Sequence, residues 1–366
     1  MIIGVPKEIK TQEHRVGLVP SAVAQVIKDG HEVLVECCAG ADSGFPDHDY
    51  ANAGATLVDS HVEAFDADLI IKVKEPVESE FPFLRKGQII FNYLHLAANR
   101  RLTDALLKSG VTAIAYETVT HNHRLPLLEP MSEIAGRMAT IVGAHFLAKP
   151  HGGNGVLLPG VPGVLPGKVV VLGAGTSGVN AARMALGLGA DTIILEVDVE
   201  RMRFLDLTLS PVRTFYSNEA HLTELLPSTD LIIGAVLVPG AKAPKLLTRD
   251  MLKLMKPGSV FVDIAIDQGG CAETSRPTSH DDPVYVEEGV LHYCVTNMPG
   301  AYARTATQAL TNVTYPYIKA LANWGLDEAC RRNAGLAQGV NIKEGKVTHQ
   351  AVANAHNLPF TSYDLK

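Results

Sequence analysis

The stretch KVVVLGAGTSGVNAARMALGLGADTIILEVD, from Lys168 to Asp198, constrains the fold of this chain more than any other. Its first residues are branched and apolar and read as a buried β-strand. Gly173, Gly175 and Gly178 follow, and an alanine-rich helical stretch follows them. A G-x-G-x-x-G run alone is weak, but here it leaves a strand and opens a helix, and each glycine then has a mechanical task. Gly173 permits the tight turn, Gly175 lets the backbone approach a pyrophosphate, and Gly178 lets helix and strand pack closely. The helix start offers unpaired N–H groups and a positive dipole end to the phosphates. The next strand ends on Glu196, 23 residues past the first glycine (196 − 173). A carboxylate there takes ribose hydroxyls and repels a 2′-phosphate, so NAD is expected rather than NADP. Asp198 is the rival for that contact, and Arg201 and Arg203 lie close by. The competing reading is a tight strand–helix turn that binds nothing.

A chain of 366 residues is long enough for two to three domains, each with its own core. It is 46% hydrophobic and 19% charged, as expected of a soluble globular protein. The net charge of -7 leaves no basic excess to neutralise phosphates, which argues against a nucleic-acid partner. The opening MIIGVPKEIK reads as a first strand rather than a signal peptide, and no stretch is apolar for long enough to span a membrane. The five cysteines form no C-x-x-C. Reduced thiols in a cytoplasmic protein are the simplest reading.

Two series of strands are visible. MIIGVPKE, HEVLVECC, ATLVD, DLIIKVK, QIIFNYLH and TAIAYETV make the first; KVVVLG, DTIILEVD, RTFYS, DLIIGAVL, SVFVDIAI and VLHYCVT make the second. Helical segments alternate with them, so parallel sheets covered on both faces are expected. The fold class is therefore α/β, with two doubly wound open-sheet domains, the second a Rossmann NAD-binding domain, and a cleft between them. Met131–Lys149 reads as one long helix, and a second runs from about Thr307 to Trp324 with a kink at Pro316. The expected division is a discontinuous substrate domain, 1–130 plus 306–366, and a nucleotide domain, 131–305.

Open α/β sheets bind ligands beyond the carboxyl ends of their strands. Arg15 follows the first strand, DLIIKVK ends on Lys74, QIIFNYLH ends on His95, and SVFVDIAID ends on Asp267. Arginine can grip a carboxylate with two parallel hydrogen bonds, and lysine can polarise a carbonyl. Histidine can pass a proton near neutral pH, and aspartate can orient water or carry a proton. Beside a nicotinamide, this set suits hydride transfer at a carbon bearing nitrogen or oxygen next to a carboxylate. Each residue also has a structural explanation: a surface ion pair, a strand-end histidine, a turn cap. HNHR, His121 to Arg124, lacks a third ligand, so no metal is expected.

Nearly the whole chain resembles the alanine dehydrogenase family, which also includes the NAD-binding subunit of proton-translocating transhydrogenase. The segments that carry the resemblance include GVPKEIKTQEHRVGLVP, IIKVKEP, FNYLHLA, PMSEIAGRMA, VVLGAGTSGVNAARMALGLGA, VDIAIDQGGC and VTNMPGAYARTAT. It implies NAD-dependent interconversion of L-alanine with pyruvate and ammonium, usually by a homohexamer. By position, Arg15 and Lys74 would bind the substrate, and His95 and Asp267 would be the acid–base residues. Ser132, Gly173, Gly175, Gly178, Glu196, Arg201, Ser217, Val236, Leu237, Ile264, Asp267, Arg276, Val295, Asn297 and Met298 would line NAD. The family often has aspartate where this chain has Glu196, which keeps the charge and changes its reach. The alternatives are a transhydrogenase subunit, a dehydrogenase of larger amino acids such as saccharopine, and an NAD-binding protein without turnover.

Overall fold

A computed structural model of the chain describes residues 1–236 and 243–363. It divides into two compact units, Met1–Met131 with Tyr302–Lys366, and Ser132–Ala301. Six strands come first: β1 (Ile2–Val5), β2 (Glu32–Glu36), β3 (Thr56–Val58), β4 (Leu69–Ile71), β5 (Ile89–Asn92) and β6 (Thr112–Ala115). The second unit holds β7 (Lys168–Leu172), β8 (Asp191–Glu196), β9 (Arg213–Tyr216), β10 (Leu231–Gly234), β11 (Val260–Asp263), β12 (Val284–Glu287) and β13 (Val290–Tyr293). The chain then returns to the first unit with β14 (Val340–Lys343) and β15 (Lys346–Val347).

The first sheet has the order β15-β14-β6-β5-β4-β1-β2-β3, and the second β12-β13-β11-β10-β7-β8-β9. Each therefore contains a parallel 3-2-1-4-5-6 series. In each, the strand order reverses beside the unit's first strand, which opens a crevice at the strands' carboxyl ends. The central strands are buried along their length: Leu69–Ile71 and Ile89–Asn92 in one sheet, Leu231–Gly234 and Val260–Asp263 in the other. Burial on both faces follows from helices covering both, and it explains why these strands read as continuous apolar runs.

The sheets are mixed rather than wholly parallel. β12 lies antiparallel to β13, and β14 lies antiparallel to β6 with a register shift between Val340 and Ile342. Neither β12, β14 nor β15 was visible as a strand in the sequence. They are short, and they lie at or next to a sheet edge. The long helix spans Glu129–Phe146. The later one spans Ala303–Arg332, and its backbone leaves helical geometry at Gly325 (φ 69°, ψ 173°) rather than at Pro316.

Candidate functional site

The first unit carries its polar residues on the segments that leave β1, β4 and β5. Arg15, in the segment after β1, is 2% exposed. Glu13 accepts hydrogen bonds from its Nε and Nη2, each 2.6 Å long, and Nη1 points at Met131 Sδ, 3.1 Å away. Burial alone would lower the pKa of Arg15, but the Glu13 carboxylate outweighs it and holds the guanidinium above its ordinary value. A surface ion pair is thereby excluded for this arginine.

β4 stops at Ile71, three residues before Lys74, which corrects the expectation that the strand itself delivers that lysine. Glu8 takes over where the ladder ends. Its Oε1 accepts the backbone N–H of Val73 at 2.6 Å and of Lys74 at 3.1 Å. The Asn92 side-chain amide donates to the Lys74 carbonyl at 2.7 Å. Lys74 is thus held by its peptide groups from both neighbouring strand ends.

Behind it lies a second lysine that sequence reading passed over. Lys72 is 1% exposed, with Nζ 2.6 Å from Glu80 Oε1 and 3.3 Å from Glu8 Oε2. Burial lowers its pKa, yet the Glu8 and Glu80 charges leave it raised overall. Burial also pushes the Glu8 carboxyl up, against the pull of Lys72.

His95 follows β5 with left-handed backbone angles (φ 50°, ψ 38°) and an exposed ring. Glu117 stabilises that turn, accepting the N–H of His95 at 2.5 Å and of Leu94 at 3.2 Å. Its Oε1 also lies 3.9 Å from His95 Nδ1. Tyr93 stacks on the imidazole, ring planes 9° apart, and donates its buried hydroxyl to the Leu127 carbonyl at 2.6 Å. The Glu8 carboxylate favours the charged form of Arg15 as well as holding the Lys74 backbone.

In the second unit the glycine turn has the shape its spacing requires. A methyl group at Gly178 would sit 1.9 Å from the Gly173 carbonyl oxygen, so the close helix–strand approach excludes any side chain. Gly173 has φ 94°, a conformation that suits glycine. Gly175 precedes the helix Thr176–Gly187 with no side-chain cap, and a methyl there would meet nothing within 4 Å. Bare N–H groups beside open space fit a pyrophosphate.

Glu196 ends β8 beside this turn. It accepts the N–H of Ala174 at 2.7 Å, of Val197 at 2.7 Å and of Asp198 at 3.1 Å. Asp198 instead caps the helix Val199–Thr208, accepting the N–H of Glu200 at 2.9 Å and of Arg201 at 3.2 Å. Arg201 donates to the Ala174 carbonyl at 2.9 Å, and the Ser217 N–H donates to the Glu196 carbonyl at 2.8 Å. Val236 follows β10. Ser132 lies on the helix Glu129–Phe146, one turn before Gly136, where an added methyl would meet the Ser177 carbonyl at 2.1 Å.

β11 ends at Asp263, not at Asp267. Asp263 is buried and accepts from the Ala265 and Cys271 N–H groups and the Ser275 hydroxyl, at 3.0, 2.9 and 2.6 Å. Burial raises its pKa despite those bonds. This fixed carboxylate holds the turn Ile264–Gln268, which presents Asp267 on the surface of its unit. Arg276 lies over the Tyr285 ring, 3.8 Å from its centroid. Beyond β13, Val295 and Met298 are core residues, while Asn297 has φ 56° and is half-buried. Leu237 lies outside the described residues.

The family model "Alanine dehydrogenase/PNT, N-terminal domain" matches residues 4–135, and "Alanine dehydrogenase/PNT, C-terminal domain" matches residues 139–350. The chain belongs to the alanine dehydrogenase/PNT family. A protein named alanine dehydrogenase from Geobacillus stearothermophilus is 54% identical over 99% of this chain and 98% of its own length. A solved structure titled L-alanine dehydrogenase superposes with a TM-score of 0.95 at 51% identity, covering 98% of this chain and 99% of that one. The transhydrogenase from Sinorhizobium meliloti is a more distant relative, with a TM-score of 0.83 at 26% identity over 96% of this chain and 100% of that one.

For a member of this family, the polar residues missed from sequence are instructive. Glu8, Lys72, Glu80 and Asp263 are all buried. Asp263 carried a signal, a lone carboxylate ending an apolar strand. Glu8, in a charged stretch, carried none. Among the described residues no helix is long and apolar enough to cross a membrane, and no group of three or more His, Cys, Asp or Glu is placed to hold a metal ion.

Proposed function

We propose that this chain catalyses the reversible oxidative deamination of L-alanine to pyruvate and ammonium, with NAD as the hydride acceptor. The full-length identity of 54% to an alanine dehydrogenase carries this reading. A transhydrogenase subunit is the weaker alternative, since that relative shares 26% identity.

In this reading Ser132–Ala301 is the nucleotide domain, and Met1–Met131 with Tyr302–Lys366 is the substrate domain. The helix start after Gly175 holds the pyrophosphate, and Glu196, which ends β8 beside that turn, takes the ribose hydroxyls. Ser132, Arg201, Ser217, Val236, Leu237, Ile264, Asp267, Arg276, Val295, Asn297 and Met298 line the rest of the nucleotide site. When bound, NAD accepts a hydride from the substrate Cα.

Arg15, kept cationic by Glu13, pairs with the substrate carboxylate. Lys74 supplies positive charge at the oxygen of the 2-oxo acid. As hydride leaves alanine, its amine must already be neutral, and His95 takes that proton. The resulting iminium adds water, whose oxygen gives up both protons: one passes to the nitrogen, which leaves as ammonia, and one to a base as the carbonyl forms; Asp267 and His95 move those protons. The fixed charges need no reorganisation during the reaction, which is where most of the acceleration is expected.

The protein acts in the cytoplasm as a homohexamer, with small molecules and no nucleic acid or membrane as partners. The test is purified chain mixed with L-alanine and NAD, with nicotinamide absorbance as the readout. Alanine-dependent formation of NADH, and its reversal by pyruvate with ammonium, support the reading. Nucleotide binding without either reaction overturns it. Light scattering on a sizing column gives the copy number.

A further inference from the structure

One feature of the first unit has no part in the chemistry above. A row of ionic side chains runs from its surface to the peptide that carries Lys74. Glu36, at the end of β2, accepts the Lys7 N–H at 2.7 Å and faces His61 Nδ1 at 2.6 Å. His61 opens the helix His61–Phe65, and its Nε2 lies 2.9 Å from Glu80 Oε1. Glu80 is fully buried and meets Lys72, which meets Glu8, which holds the N–H groups of Val73 and Lys74.

The decisive point is at His61. Both ring nitrogens face carboxylate oxygens, and carboxylates only accept hydrogen bonds. A neutral imidazole has one N–H; only the imidazolium can donate in both directions. We propose that the row Glu36–His61–Glu80–Lys72–Glu8 is a positioning device for Lys74, and that the proton on His61 switches it between a firm and a loosened state. This rests on the reading of Lys74 as a substrate-binding residue.

Loss of that proton acts in two ways. First, one of the two carboxylate contacts becomes a pair of opposed lone pairs and must open. If Glu80 is released it draws Lys72 further from Glu8. Among the described residues Glu8 Oε2 accepts no hydrogen bond, and its ion-pair partner is Lys72 at 3.3 Å. A carboxylate left buried without its cation is costly, so the clamp on the Val73–Lys74 peptide weakens. Second, the row holds three carboxylates against two cations while His61 is charged, and three against one afterwards. The added negative charge lies behind the residues meant to attract a substrate carboxylate.

The charged groups around His61 are Glu36 from β2 and Glu80 from the turn Glu78–Phe83, with Lys72 behind Glu80; its other neighbours are the rings of Phe65 and Phe83. On its own helix, Glu63 is occupied in a capping box with Ser60. Burial lowers the His61 pKa, but the two carboxylates outweigh it and raise it from 6.5 to about 9. The switch therefore operates on the alkaline side of neutrality.

The test is the pH dependence of pyruvate binding to the enzyme–NADH complex without ammonium, because pyruvate itself does not titrate in this range. In the natural protein the dissociation constant should rise about tenfold as pH passes His61's midpoint. Ring-labelled histidine NMR should show one imidazole, absent in His61→Gln, titrating with the same midpoint. Glu36→Gln removes one flanking charge and leaves the deeply buried groups in place; it should move both midpoints down by about one pH unit. A Glu36→Gln profile that overlays the natural one overturns the inference, as does an NMR midpoint in the ordinary histidine range. Lys74→Ala separates this from the underlying reading. Unchanged pyruvate affinity in that variant refutes the role of Lys74 itself; weakened affinity with an unmoved Glu36→Gln profile refutes only the device behind it.

Discussion

Glu13 grips Arg15 through two parallel hydrogen bonds of 2.6 Å, and both side chains are buried. The pair occupies one edge of the guanidinium and fixes its plane. Removing the charge of Glu13 leaves a buried cation with a poorer partner, and breaking such a pair costs about 3–5 kcal/mol. Glu13→Gln should lose part of that in urea unfolding and raise KM for alanine more than it lowers kcat. Unchanged stability would show that the pair carries no net energy.

Lys74 is proposed to act on the substrate, while the nucleotide residues belong to the other unit. Lys74→Ala should reduce turnover by roughly a hundredfold to a thousandfold, the scale seen when one electrostatic contact to a reacting oxygen is removed. NAD affinity, measured by fluorescence titration, should stay nearly unchanged. Turnover close to that of the natural protein would remove Lys74 from the mechanism.

Gly175 and Gly178 belong to the same turn and should respond differently to alanine. At Gly175 the methyl enters open space, so Gly175→Ala should fold normally and bind NAD weakly. At Gly178 it would meet the Gly173 carbonyl oxygen at 1.9 Å, so Gly178→Ala should lower the melting temperature as well. Thermal melts and NAD titrations of both variants separate a packing glycine from a binding one. Equal NAD affinity in Gly175→Ala and the natural protein would place the pyrophosphate elsewhere.

His95 is assigned the proton transfers, so His95→Gln should lower kcat and change the shape of the pH profile of kcat/KM. An unchanged profile in the variant assigns those transfers to another group.

Stability should also depend on pH through His61. Its pKa is 6.5 in the ordinary state and about 9 when folded, so the folded chain holds the proton more tightly. That contribution is whole below about pH 6.5, fades as pH rises, and is gone beyond about 9. Urea unfolding across this range should show the decline, and His61→Gln should flatten it.

Much of this protein is legible in the order of its residues. Apolar runs such as Leu231–Ile233 declare buried parallel strands because both faces must be covered, and the spacing of Gly173, Gly175 and Gly178 declares the turn because only a bare backbone fits there. These are local requirements, met within a few residues of each other. Glu196 and its distance from Gly173 belong to the same class, set by the length of one helix and one strand. The strand ends expected at Lys74 and Asp267 fail for a local reason too: Val73, and Ile264 with Ile266, continue the look of a strand after the ladders have stopped.

Other features depended on the fold alone. Nothing near Glu8 in the chain shows that it will meet the backbone of Lys74, or that His61 will stand between Glu36 and Glu80. Those contacts join residues 19 to 66 positions apart, brought together where β1, β2 and β4 end side by side. An ionisable side chain looks the same in a sequence whether it will be solvated or buried. Its partners, and with them its charge, are decided by which strands become neighbours.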